Sequence, residues 1–221
     1  RRLHVYHKSV RDWLTREGRR DCVLFVDDKK VQRVMAQGCM AALRRADVGC
    51  REEEKSSCVT EEDAPATMDY VLQHGISHLV AAGRRKEARA LVLENIAWLM
   101  ARSADGLGVM EDCRRLVAAA GESGDRVVDL VRRALDLSMS DLRKDPRRLP
   151  GQLVGRLMGA GAGGSTDADG GGASSTREIS GFLKRLKEYQ GYGFEWWCPV
   201  SRTLEQAGGA CLRKITGHKG S

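Results

Sequence analysis

The chain has 221 residues, of which 42% are hydrophobic, 30% charged and 5% aromatic, and it carries a formal net charge of +7. These proportions are those of one globular domain or two small ones. No run of about 20 apolar residues occurs, so no membrane-spanning helix is expected, and no apolar stretch follows the basic start, so no signal peptide is expected.

Abundant Ala, Leu, Val and Arg with few aromatics favour helix over sheet. Seven cysteines, at 22, 39, 50, 58, 113, 198 and 211, are odd in number and form no CxxC pair. A disulfide framework would be denser and even-numbered. They read as reduced thiols, so a cytoplasmic protein is expected. Arg1 begins the chain and the first methionine is Met35. The expectation is an internal piece of a longer protein.

In chain order, residues 5–16 read as a short helix with Val10, Trp13 and Leu14 inward, and 22–26 (CVLFV) as one short strand. A helix follows over 29–46, with Val31, Val34, Met35, Gly38, Ala42 and Leu43 as its buried stripe. Residues 1–46 are thus one block. Residues 47–66 lose apolar periodicity and hold Glu52–Glu54, Glu61, Glu62, Asp63 and Pro65, which predicts an acidic loop. A helical stack is expected over 67–158. Thr67 is the expected N-cap of its first helix, whose stripe is Met68, Val71, Leu72, Gly75, Ile76, Leu79 and Val80, with Gly83 as closing glycine. Residues 85–102 form the next helix, read as its antiparallel partner. Helices over 107–120 and 125–144 come next, with a turn at 121–124. Pro146 breaks the chain, and 149–158 restarts it.

Residues 159–176 (Gly, Ala, Ser and Asp) read as a flexible insertion. One more helix is expected at 177–190, with Ile179, Phe182, Leu183 and Leu186 on one face. Residues 191–221 read as an extended tail. The fold class is therefore mainly α: helical hairpins stacked as an α-superhelical array, with one short N-terminal strand.

No segment carries the GxxxxGK[ST] of a phosphate loop. His74 and His78 are spaced i, i+4 but lack the Glu of HExxH and a third ligand, so they read as surface or groove histidines rather than a metal site. His4 and His7 have no nucleophile elbow to serve. Almost every Asp and Glu is expected on a polar helix face or in the acidic loop at 52–63, so no usable carboxylate pair is read. No catalytic, cofactor or metal residue is assigned. Trp13, Trp98, Trp196 and Trp197 are the candidates for packing or interface anchors. The positive charge is spread. Arg1–Arg20 and the Arg143, Lys144, Arg147, Arg148 cluster read as solvated faces, with a phosphate-binding face as the alternative.

Several segments together resemble a family. YHKSVRDWL at 6–14 and FVDDKKVQRVMAQGCMAAL at 25–43 look like the end of the winged-helix part of a NACHT-type (STAND) signalling NTPase. YVLQHGISHLVAAGR at 70–84, ENIAWLMAR at 94–102 and DLSMSDLRKDPRRLPGQLVGRL at 136–157 are similar to the helical connector of NACHT and WD-repeat proteins. GGACLRKITGHKGS at 208–221 resembles the entry to a WD-repeat propeller, with Leu212, Gly217 and His218 matching the repeat's opening. The chain departs from the pattern at Gly38, Met40 and the inserted Gly-rich segment.

The resemblance implies a non-enzymatic scaffold that joins an upstream nucleotide-binding module to a downstream propeller. Its partners would be proteins: those modules and further copies. Any NTPase residue would lie before Arg1. A basic nucleic-acid-binding domain and a free-standing α-solenoid adaptor are the alternatives.

Overall fold

The computed structural model describes residues 27–47, 64–103, 108–121, 124–161, 172–201 and 204–207. Among them the chain is mainly helical and contains no strand. The expected helix at 5–16, the strand at 22–26, most of the acidic loop and the end of the tail lie outside the described residues, as do Trp13, Leu212, Gly217 and His218. The chain divides into two compact units at Arg84/Arg85. That division falls inside the stretch expected as one stack.

The first unit contains α1 (Asp28–Asp47) and α2 (Ala64–Ala81), packed on each other. They run antiparallel. Gln32 meets His78, and Cys39 lies beside Gly75. The buried face of α1 is Ala36, Cys39, Ala42 and Leu43. This corrects the expected stripe: Val34 is 64% exposed and Val31 is exposed too. Small residues at 36, 39 and 42 let the helices approach closely, while the bulkier Val31 and Val34 face outward.

α2 begins at Ala64, so Thr67 is inside the helix and not its N-cap. At the other end Gly83 has φ +76°, its N–H donates to Val80 O, and Arg84 N–H reaches back to Leu79 O. This pair of bonds is a Schellman closure, which needs the left-handed conformation that glycine adopts without strain.

The second unit is built from α3 (Arg85–Leu93), α4 (Ile96–Arg102), α5 (Gly108–Ala118), α6 (Arg126–Leu142), a 3₁₀ turn (Pro146–Arg148), α7 (Leu149–Gly161) and α8 (Gly172–Glu188). Helices adjacent in sequence pack together: α5 on α6, α6 on α7 and α7 on α8, with α3 touching α4, α5 and α6. Leu99, Val109, Leu116, Val131, Leu135, Leu153, Leu157, Ile179 and Phe182 form the core, each at most 1% exposed.

The single helix expected over 85–102 is two. Asn95 caps α4, its side-chain oxygen accepting the Trp98 N–H at 2.8 Å. The carbonyl of Leu93, at the end of α3, accepts from Arg185 Nε at 3.1 Å. A short polar side chain within an apolar period favours a cap over continuation.

Carboxylates also enter the interior. Asp112 is 1% exposed and accepts from buried Arg102 Nε at 2.8 Å. Asp125 caps α6 and accepts from Arg89 and Arg85, while Arg89 also pairs with Glu178. This arrangement joins α3, the start of α6 and α8 through one charge network.

Candidate functional site

The site grows from the face of α7. Leu149, Leu153, Val154 and Leu157 fill the core, each 0% exposed. Gly151, Gly155 and Gly159 recur every four residues, so they line up along another face of the same helix. The tail lies on that face. A methyl on Gly151 would stand 3.2 Å from the carbonyl oxygen of Trp197, and one on Gly155 would stand 2.8 Å from Leu204 Cδ1 and 3.4 Å from Pro199 Cγ. One on Gly159 would meet Gln206 Oε1 at 2.6 Å. The glycines are where the tail fits.

Polar bonds complete the seat. Gln206 Nε2 donates to Gly155 O at 2.8 Å, and Gln206 Oε1 accepts from Gly159 N–H at 2.8 Å. Those two groups are the acceptor and donor of one rung of the helix ladder. The Gln206 amide therefore clips onto that rung. Arg156, 7% exposed, binds Ser138 Oγ, Gln152 Oε1 and Glu205 O. Its own carbonyl accepts the Ala207 N–H at 2.9 Å. Burial lowers its pKa, and Glu205 and Asp141 act in the opposite sense.

Before this seat the chain folds into an aromatic cluster. Tyr192 meets Tyr189 edge-on at 4.9 Å, Phe194 at 5.6 Å and Trp196 at 5.7 Å. The Tyr192 hydroxyl donates to Leu186 O at 2.6 Å, and burial pushes its pKa up. At the start of α7, Asp145 caps the 3₁₀ turn by accepting from Arg147 N–H and Nε. The hydrogen bond from Arg147 holds the Asp145 carboxyl below its ordinary pKa.

The tryptophans take different roles. Trp98 is 2% exposed, a core residue whose Nε1 has no hydrogen-bond partner among the described residues. Trp196 is half-buried in the cluster, and Trp197 is 96% exposed. Part of the expected flexible insertion is helical: residues 159–161 belong to α7 and 172–176 to α8. The missed residues are Gly151, Gly155, Gly159, Arg156 and Gln206. Four-residue glycine spacing on a helix was the signal that could have found the first three.

In the first unit, His78 sits between the helices. Its Nε2 pairs with the Tyr70 hydroxyl and its Nδ1 with Gln32 Oε1, both at 2.7 Å, and Gln32 Nε2 donates to Asp28. Burial and then neighbouring His74 lower the His78 pKa. His74 and His78 are not brought to a metal-ligand group: among the described residues no three His, Cys, Asp or Glu side chains converge in that way.

Among the described residues no helix is long and apolar enough to cross a membrane. Much of the described positive charge is already engaged. Arg85, Arg89, Arg102, Arg115, Arg132, Arg133 and Arg147 each pair with a carboxylate. Comparison with protein-family models, with curated proteins and with solved structures found no match.

Proposed function

We propose that this chain is a non-enzymatic helical scaffold of the NACHT/WD-repeat type, which joins an upstream nucleotide-binding module to a downstream propeller. The observation that carries the reading is the seating of the tail along Gly151, Gly155 and Gly159, secured by Gln206. The chain running on towards Leu212, Gly217 and His218 thus leaves from a defined point on a packed helical unit. A connector must transmit position, and rigid packed helices do that where a loose linker does not. The helices would stack as hairpins in an α-superhelical array. The partners are proteins, the compartment is the cytoplasm, and nucleotide chemistry belongs before Arg1.

The test is the sequence of the parent transcript. A phosphate-loop motif encoded upstream and WD repeats encoded downstream are expected. Their absence on either side overturns the reading.

A further inference from the structure

Helix α1 carries apolar residues on its outer face as well as on the inner one. Val34 is 64% and Val31 39% exposed, and Gly38 and Ala41 are exposed beside them. The four recur at i, i+3, i+7 and i+10, the spacing that lines one side of a helix and seats a second helix along it. The stripe is open, since a methyl on Gly38 would meet nothing within 4 Å. Lys30, Gln37 and Arg44, exposed and seven residues apart, follow one edge of it, with Lys29 and Arg33 further round. No acid lies in α1 between Asp28 and Asp47. Among the described residues, no carboxylate pairs with Lys29, Lys30, Arg33 or Arg44.

We propose that this face docks an amphipathic helix of a partner protein, with apolar side chains against Val31 and Val34 and acidic ones along the Lys30–Arg44 edge. Charge complementarity selects this occupant over the others at hand. A second copy of α1 would set Lys30 and Arg44 against like charges. Residues 5–16 hold Lys8, Arg11 and Arg16 against Asp12, so they do not supply the opposite charge. The acidic stretch at 47–66 has that charge but no apolar period to lay on the valines. It also joins α1 to α2 at the end of the hairpin away from Lys30. Reaching Lys30 takes about 25 Å along α1 and as much back. That is close to the full extension of residues 48–63, about 55 Å. Val31, Val34, Gly38 and Ala41 are small for a lipid surface, where Trp, Phe and Leu anchor, but they suit close helix packing. An apolar centre contributes nothing to holding a phosphate chain. The inference does not rest on the flanking modules of the parent protein.

The test is fluorescence anisotropy of a labelled helical peptide of three heptads, with Leu at the a and d positions and Glu at e and g, titrated with the full chain. The Glu edges keep the peptide from pairing with itself. Saturable binding is expected, weakening as salt rises. It should fall by about tenfold or more in Val34→Asp, and likewise when Lys30→Glu and Arg44→Glu are combined. These side chains are exposed, and circular dichroism checks that the variants keep the helical fold. Lys184→Glu, on the exposed side of α8, should bind as the wild type does. The same peptide with Lys at e and g is expected not to bind. No saturable binding, equal binding by the α1 variants, or equal binding of the Lys peptide overturns the proposal. So does tighter binding to phosphatidylserine vesicles or to single-stranded oligothymidine, or self-association of the chain through Val34 in its place.

Discussion

Single residues in this protein are set by what lies against them. Gly108 is the sharpest case, because a methyl there would fall 2.0 Å from Arg102 Nη1. Arg102 cannot easily yield, being 9% exposed and paired with buried Asp112 at 2.8 Å. Gly108→Ala must therefore displace one half of a buried ion pair, which costs about 3 kcal/mol. Urea denaturation of the second unit should show a loss of that size, and a loss below about 0.5 kcal/mol would contradict the geometry. His78 gives a pH dependence. Its folded pKa is below the ordinary 6.5, so between the two values the unfolded chain binds more protons. Stability contributed by neutral His78 is full above about 6.5 and falls as pH drops towards the folded pKa. Thermal denaturation should show acid destabilisation of the first unit that is reduced in His78→Gln. An unchanged pH profile in that variant would count against the Tyr70–His78–Gln32 chain.

At the scale of elements, the long periodic helices were legible. α6 was expected at 125–144 and found at Arg126–Leu142, and α8 buries the predicted Ile179, Phe182, Leu183 and Leu186. Both carry apolar side chains at unbroken helical spacing, which burial rewards directly. The break at Asn95 was not legible, because Leu91, Val92, Ile96 and Leu99 keep helical spacing across it. A single side-chain bond to Trp98 N–H decides that point. Asn95→Ala removes the bond and should cost about 1 kcal/mol, read as a lowered urea midpoint. A wild-type midpoint would show that the cap is dispensable. The register of α1 was misread for a related reason. The valines looked like the stronger core signal, but the small Ala36, Cys39 and Ala42 govern how closely α2 can approach. The tail seat is legible only in part, through the four-residue spacing of Gly151, Gly155 and Gly159, because glycines in composition signal flexibility. On α7 they signal proximity, and the partner residues Leu204 and Gln206 lie about 50 positions on.

At the scale of the molecule, two compact units each have their own packing, and the second ends with its tail bound to its own helix. The exposed Trp197 belongs to this arrangement: the same contacts that bury Trp196 and Pro199 turn it outward. The account's central claim is that the helical unit holds this tail in one place. Nitroxide labels at exposed Cys198 and at Lys184→Cys on α8, with the other reactive cysteines replaced by serine, measure this directly by double electron–electron resonance. The account predicts one narrow distance distribution in the wild-type background, broadened in Gly155→Leu, where the larger side chain excludes Leu204 and Pro199. A broad wild-type distribution, or one that Gly155→Leu leaves unchanged, would contradict it.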